Sequence, residues 1–405
     1  TNNINWEQFM GAKLFAWLGG LALLLGVAFF VKYSFEHDLI PPAVRAAMGY
    51  VFGAGLAVAG LRLARPRHAT TADTLIGAGV VSLYTVTFAC RSIYHFEFFG
   101  AIPTFLVMTF ITAAAFVLAV RLQAQAIAIL GMLGGFLTPV LVNSGVDNPA
   151  GLFGYLALLD LGLIAVALHR RWFHLVLMGA VGTVLLMNGW AAKYLEPAKA
   201  STAVVVCLGF SALYFAAHVY ARWRDRASAA TVWSAVGLPV VGLGYALTFL
   251  AQPAIASRPA LLFSFILACD LFLLALAWIE ESLPRLHLFA GLAVFGLLSI
   301  WTARHLTEPL LPWALGMYLL FAALHAVYPL LLERKHPEAT PTWWSQLFPP
   351  LTLLLLLVPI FKLTTVPMVL WAAILLVDLM AIGLALASAS LAGVGAVLLL
   401  TLIAT

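Results

Sequence analysis

The chain has 405 residues, of which 64% are apolar and only 9% are charged, and its formal net charge at pH 7 is +5. A soluble globular domain is nearer half apolar and a quarter charged, so this composition excludes a water-soluble fold and predicts that membrane lipid covers much of the surface. The basic residues lie in short loops between apolar segments, a distribution typical of membrane proteins that excludes a nucleic-acid partner.

Apolar segments that suit membrane-crossing helices recur from one end of the chain to the other. An α-helix needs roughly twenty apolar residues to cross a hydrocarbon core of about 30 Å, and about 14–15 segments meet that length. They predict an all-α fold, a polytopic transmembrane helix bundle built from repeated helical hairpins. In chain order the predicted spans are 13–33, 42–64, 71–94, 103–121, 124–142, 150–168, 173–192, 200–221, 229–250, 259–279, 286–303, 309–332, 345–362, 367–387 and 389–405.

The positions of lysine and arginine predict which ends of these spans face the cytoplasm. With a cytoplasmic N-terminus, thirteen of the 21 basic residues lie on the inner side and eight on the outer side. Because cytoplasmic loops carry the excess of Lys and Arg, we expect this orientation. The loops are too short for an extramembrane domain, so we expect residues 1–405 to form a single transmembrane domain. The chain starts at Thr1 and stops at Thr405 inside an apolar run, which predicts a fragment of a longer protein.

An aspartate lies near the middle of three similar predicted spans. LALLDLGLIAVAL around Asp160 resembles ILACDLFLLALAW around Asp270 and ILLVDLMAIGLAL around Asp378, and the two intervals between these aspartates are nearly equal. An ionised Asp at mid-membrane costs about 2.5–3.5 kcal/mol, so each needs a function or a partner. The three residues are candidates for a proton or ion relay. The alternative is a neutral Asp that hydrogen-bonds to a neighbouring helix.

A second landmark keeps nearly the same register. The segment that begins at Trp190 resembles the segment that begins at Trp301, and the interval between them is close to that between the aspartates. Together with the aspartates, it predicts four-helix repeat units near 150–257 and 258–365, followed by an incomplete unit at 366–405. Such repeats are common in transporters but also occur in membrane proteins that transport nothing, so they support architecture more than activity.

The outward ends of several spans combine basic, aromatic and acidic residues. Each instance alone is explained by anchoring, because cations favour helix C-termini and Lys, Arg and Tyr favour the membrane interface. Their concentration on one side also fits a shared outward-facing polar pocket, and both interpretations stay open. The candidate substrate-binding residues are Lys32, Tyr33, Glu36, Arg45, Arg91, Tyr94, His95, Glu97, Asn143, Asp147, Lys193, Glu196, Arg304 and Glu308.

Motifs for catalysis or cofactor binding are missing from the sequence. It contains no zinc-binding helix motif, no Walker loop and no GxSxG elbow, and its ten histidines show no metal-ligand spacing. His218 and His325 follow in the next helix of each complete repeat unit, where we expect hydrogen-bonded packing residues, and the alternative is a ligand or proton role. The sequence therefore predicts no catalytic residue, no metal and no cofactor, which disfavours an enzyme without excluding one.

Three stretches carry a resemblance to a known family. They are GAKLFAWLGGLALLLGVAFFVKYSFE, LIGAGVVSLYTVTFA and LGMLGGFLTPVLVNSGVDNPAGLFGYLALLDLG. Together they resemble the bacterial domain-of-unknown-function 2339 family of predicted multi-spanning membrane proteins, mainly over residues 10–195. The resemblance implies a multi-pass protein of the bacterial cytoplasmic (inner) membrane. It implies no activity and carries over no catalytic residue.

Three functions fit these features. The favoured one is a transporter or translocator for a lipid-linked or small-molecule substrate, because the chain combines repeats, mid-membrane aspartates and a candidate broken helix at 131–149. The second is a membrane-embedded enzyme that acts on a cell-envelope glycan or lipid. The third is a membrane scaffold that binds protein partners of an envelope complex.

Overall fold

The computed structural model describes most of the chain, and all of the regular structure in the described part is helical. The described residues are 22, 25, 26, 29, 33, 40–64, 68–142, 145–283, 285–335, 342–363, 367–388 and 392–404. Twelve of their helices are long and apolar enough to cross a membrane, and two shorter apolar helices accompany them. The predicted polytopic helix bundle is therefore confirmed, while most of the first predicted span, 13–33, lies outside the described residues.

Each predicted span from 42–64 onward corresponds to one helix, with ends that differ by a few residues. We number these helices in chain order. They are α1 (Pro42–Leu63), α2 (Ala69–Ser92), α3 (Ala101–Leu122), α4 (Gln125–Leu141), α5 (Pro149–Arg170), α6 (His174–Tyr194), α7 (Ala200–Trp223), α8 (Ala229–Leu250), α9 (Pro259–Ile279), α10 (Leu286–His305), α11 (Leu311–Lys335), α12 (Phe348–Lys362), α13 (Met368–Ser388) and α14 (Ala392–Ala404).

The chain divides into two compact units, of which the first is Thr1–Gly145. In it α1 and α2 pack through glycines, and a Cβ added at Gly79 would lie 2.6 Å from the carbonyl oxygen of Gly53. This close approach of two backbones is typical of membrane helices, which associate through small residues. Helix α4 continues through Pro139 to Leu141, so the break predicted within 131–149 begins only after that helix has ended.

The second unit, Val146–Thr405, is organised around α8. Helix α8 packs against α6, α7, α9 and α10. Its N-terminus is fixed by a capping box in which Ser228 and Thr231 bind each other's backbone N–H groups, a pattern that satisfies donors that a helix start leaves free. The core of the second unit therefore surrounds α8, whose first residue is fixed by the capping box.

Side-chain contacts recur between α5–α7 and α9–α11. Phe153 packs edge-to-face on Trp190 with ring centroids 5.3 Å apart, and Phe263 packs in the same way on Trp301 at 5.0 Å. At the other end, the side chains of Arg226 and Lys335 donate hydrogen bonds to the carbonyl oxygens of Leu168 (2.8 Å) and Trp278 (2.6 Å), respectively. The repeat units stay a prediction, and matched contacts of this kind are what such units would produce.

Candidate functional site

The two aspartates of α5 and α9 are fully buried in the second unit. Asp270 contacts His325 of α11, with 3.1 Å between Oδ2 and Nε2, and neither side chain is exposed. The ring of His325 packs against Phe348 at 5.0 Å and Phe295 at 6.5 Å between centroids. The Asp270–His325 pair is thus one hydrogen bond between two ionisable groups in largely apolar surroundings.

Each member of this pair has a second polar atom that stays unsatisfied. Among the described residues, neither Oδ1 of Asp270 nor Nδ1 of His325 has a hydrogen-bond partner. Almost all buried polar atoms in proteins are paired, so an unpaired atom calls for a physical explanation. The pair can carry one proton on either member, and its free atoms offer positions for a further proton or a water molecule.

Asp160 occupies a comparable site among α5, α6 and α7. The Thr183 hydroxyl donates a hydrogen bond of 2.6 Å to its Oδ2. Its Oδ1 and the hydroxyl of Tyr214 have no hydrogen bond of normal geometry in the described part of the chain. Both atoms face Gly179, where an added Cβ would lie 3.4 Å from Oδ1 and 3.0 Å from the Tyr214 oxygen. The glycine therefore keeps open the space in which these oxygens meet.

The Asp270 site also packs against a glycine, Gly291, where an added Cβ would first meet the Phe348 ring. A Cβ added at Gly291 of α10 would lie 2.9 Å from Nδ1 of His325. In both sites the first helix carries the aspartate, the second the glycine, and the third a side chain with a polar tip. The third position is Tyr214 in one site and His325 in the other, and the interval between these two residues equals that between Trp190 and Trp301.

The sequence pairs His218 with His325, but among the described residues His218 does not bind an aspartate as His325 does. It belongs to a separate cluster with Glu280. Its Nε2 contacts Oε1 of Glu280 at 3.0 Å, and Arg222 donates a 2.8 Å hydrogen bond to the same oxygen. Its Nδ1 lies 3.3 Å from the Thr231 hydroxyl. As expected, both histidines are buried and hydrogen-bonded, but it is Tyr214, one turn before His218, whose side chain lies at the Asp160 site.

Asp378 is only half-buried and has a simpler partner. The Thr401 hydroxyl donates a hydrogen bond of 2.8 Å to its Oδ1. The sequence separation of these two residues equals that of Asp160 and Thr183. All three predicted relay candidates thus accept a hydrogen bond from, or share one with, a neighbouring helix, and the two with full burial also keep an unsatisfied oxygen in the part of the chain that the structure describes.

Among the outward candidates of the second unit, Asp147 is the centre of a small network. Its carboxylate contacts Nζ of Lys199 at 2.7 Å and accepts a 2.9 Å hydrogen bond from Nε1 of Trp190. Burial opposes the charged form, but the hydrogen bonds from Lys199 and Trp190 outweigh it and lower the pKa of Asp147. Lys193 is exposed and lies over the Tyr194 ring at 4.9 Å from the centroid.

The other described outward candidates lie at the surface of their units. In the first unit, Arg45 lies beside Tyr94, where burial raises the pKa of the phenol and the neighbouring cation opposes that rise. Arg91 is half-buried. The exposed candidates are Tyr33, His95 and Glu97 in the first unit and Glu196, Arg304 and Glu308 in the second. Lys32, Glu36 and Asn143 lie outside the described residues.

The sequence matches the model of a known protein family. The family model described as Predicted membrane protein (DUF2339) matches residues 11–256. The chain belongs to this family. The DUF2339 match extends past residue 195, where the resemblance seen in the sequence fades, and it includes the Asp160 site but ends before Asp270. No curated protein and no solved structure matches this DUF2339 chain.

Sequence reasoning missed several partners in this DUF2339 member. Thr183, Tyr214 and Glu280 are ordinary residues in the sequence, and only the fold brings them to Asp160 or His218. One signal for Tyr214 was available, because the interval between the two repeat tryptophans leads from Tyr214 directly to His325. In the described ranges no group of three or more His, Cys, Asp and Glu side chains could hold a metal ion.

Proposed function

We propose that this chain is a transporter or translocator in which the buried carboxylates of the second unit bind protons. The observation that carries the proposal is the Asp270–His325 pair. It is fully buried and joined by one hydrogen bond, and in the described part of the chain each member keeps one polar atom without a partner. A contact that served helix packing alone would be expected to satisfy more of its polar atoms.

The surroundings of the pair suggest how a proton would be coupled to a conformational change. A neutral pair carries no net charge and is tolerated beside the rings of Phe295 and Phe348. An added proton makes the pair cationic, and a net charge in such surroundings is costly unless water or a counter-charge reaches it. Protonation therefore favours a state in which the site opens, which is how a proton gradient drives alternating access.

Asp160 supplies a second proton-binding site of related design. Its Oδ1 and the Tyr214 hydroxyl share the space beside Gly179, so a proton or water there would bind both oxygens. In this proposal the outward residues Asp147, Lys193 and Glu196 contribute to recognition of a small-molecule or lipid-linked substrate. In this proposal the chain lies in the inner bacterial membrane with a cytoplasmic N-terminus.

The proposal is tested by proton flux into liposomes that contain the purified chain. A potassium diffusion potential set by valinomycin drives protons inward, and a trapped pH-sensitive dye reports them. We expect flux above that of empty liposomes, and loss of most of it in Asp270→Asn and in Asp160→Asn. The matched control is Asp225→Asn, because Asp225 is exposed in a loop with φ of 51°, a conformation that Asn adopts readily.

A second variant separates loss of function from loss of folding. His325→Gln keeps a hydrogen-bonding side chain but cannot take up a proton, and it should also abolish the flux. All variants are compared by size-exclusion profile in detergent before reconstitution. Wild-type flux equal to that of empty liposomes, or normal flux in both Asp→Asn variants, would contradict the proposal.

The enzyme and scaffold hypotheses have less support from the described residues. An enzyme needs an acid or base within reach of a substrate-sized cleft. The outward acids and bases His95, Glu97, Glu196 and Glu308 are instead exposed at the surface. A scaffold gives no reason for the buried Asp270–His325 pair, in which each member keeps a polar atom without a partner in the described part of the chain.

A further inference from the structure

A groove of about 780 Å³ runs between the N-terminal halves of α8 and α10 in the second unit. Its walls include the apolar side chains of Trp233, Val240 and Phe289, and Gly237 lies between them. The polar groups Ser282 and Arg285 lie at one end, in the loop that leads into α10. The volume falls within the range of about 300–1,000 Å³ that is usual for small-molecule sites.

The polar end of the groove carries a cation, Arg285, that has no ion-pair partner among the described residues. The side chain of Arg285 is exposed and makes neither an ion pair nor a hydrogen bond there. The nearby Glu280 is already bound to Arg222 at 2.8 Å, so its charge is compensated. Glu281 is exposed in the same loop but does not line the groove. A phosphate that enters at this end therefore meets Arg285 and the Ser282 hydroxyl.

The apolar part of the groove is open beside Gly237. A Cβ added at Gly237 would meet no atom within 4 Å. Trp233 and Phe289 flank this space and are each about half exposed. Tryptophan favours the level of the lipid headgroups, and Arg285 at the end of a span lies at a similar depth. The groove thus continues from the headgroup level into the apolar part of the membrane.

We propose that the groove binds a glycerophospholipid. Its phosphate contacts Arg285 and Ser282, and one acyl chain lies beside Gly237 between Trp233 and Phe289. Charge complementarity argues for the phosphate, because a guanidinium binds it through two parallel hydrogen bonds. The half-exposed aromatic walls argue for the chain, because helices α8 and α10 cross the membrane and lipid is the solvent on their outer faces.

Native mass spectrometry of the purified 405-residue chain in detergent tests this site. Phosphatidylglycerol is compared with diacylglycerol of the same chain length, which lacks the phosphate. We expect Arg285→Gln to weaken phosphatidylglycerol binding about tenfold, the effect of one charge-assisted contact, and to leave diacylglycerol binding unchanged. Arg285→Lys keeps the charge and should retain most of the binding. Gly237→Phe fills the groove and should weaken both lipids.

Two matched variants serve as controls. Arg334→Gln removes one exposed arginine at the end of α11, and Gly296→Phe adds a ring where an added Cβ also meets nothing within 4 Å. Both should bind phosphatidylglycerol like the wild type. The proposal fails if Arg285→Gln and Arg334→Gln weaken binding equally, or if Gly237→Phe has no effect. It also fails if free glycerol phosphate displaces the lipid at equal concentration, because the site would then bind a soluble phosphate.

Discussion

The strength of the Asp270–His325 contact should reveal whether the pair is charged. Breaking a buried ion pair costs about 3–5 kcal/mol, whereas hydrogen bonds between membrane helices average about 0.6 and reach about 1.7 kcal/mol. Two charges would need further hydrogen bonds to offset their desolvation. In the described chain, Oδ1 and Nδ1 have none, and Phe295 and Phe348 pack on the histidine. We therefore expect a neutral pair with a coupling energy of about 1 kcal/mol.

The assay is a double-mutant cycle with Asp270→Leu, His325→Leu and the double variant, measured by reversible unfolding in mixed detergent micelles. The control cycle uses Asp160→Leu and Thr183→Val, because Thr183 donates a 2.6 Å hydrogen bond but cannot form an ion pair. Similar coupling energies in the two cycles are the expected result. A coupling energy above about 3 kcal/mol for Asp270 and His325 alone would show a charged pair and overturn the assignment of a neutral one.

Helix packing, acid stability and membrane orientation each give one more prediction. Gly79→Ala should lower the free energy of unfolding by about 1–3 kcal/mol, because its Cβ would clash with a backbone carbonyl of α1. The control is Gly55→Ala, whose Cβ meets nothing within 4 Å and which should not destabilise the protein. Thermal melts in detergent compare the two variants. The pKa of Asp147 is lowered by its lysine and tryptophan partners, so this stabilisation is present above the unfolded-state pKa and is lost as pH falls through the folded-state value. Asp147→Asn should therefore lose less melting temperature on acidification than the wild type, and an equal loss would contradict the assignment. The orientation is tested by cysteine labelling in intact cells, after the three native cysteines, which are buried, have been replaced. If the N-terminus is cytoplasmic, an impermeant thiol reagent should label Lys193→Cys but not Arg224→Cys.

The helices of this chain could be predicted from sequence because one physical constraint dominates. A backbone that crosses lipid must satisfy its own hydrogen bonds, so each apolar stretch of sufficient length becomes a helix. Even α4, with Pro139 near its end, keeps a helical path to Leu141, because the missing N–H disturbs only the last turn. The helix therefore ends at Leu141, inside the predicted 131–149 range, since Pro near a helix C-terminus marks the end without interrupting what precedes it.

The candidate site was only partly predictable. Burial of Asp160 and Asp270 follows from their place in apolar spans, because an aspartate that faces lipid is costly. The identity of their partners depends on helix packing and rotation, which hydropathy does not specify. Tyr214 and Thr183 therefore stayed unrecognised, and His218 was placed beside His325 because both are histidines in comparable helices. Chemical identity misled in that case, while the spacing of Trp190 and Trp301 leads from His325 to Tyr214, whose side chain lies at the Asp160 site.

The two buried sites differ in their donor but share the atom that is left open. At Asp160 a threonine hydroxyl occupies Oδ2, whereas at Asp270 the imidazole of His325 does so. In the tryptophan register, Val294 stands where Thr183 stands, so the Asp270 site has no hydroxyl at this position and uses a ring nitrogen of α11 instead. In both sites, within the described residues, Oδ1 has no hydrogen bond of normal geometry, although at Asp160 it lies beside the Tyr214 hydroxyl. If these contacts only held helices together, a different donor could bind either carboxylate oxygen, and the open oxygen could differ between the two sites. In the function proposed above, the open Oδ1 of Asp270 and the Oδ1 of Asp160 beside Tyr214 are the positions that take up a proton.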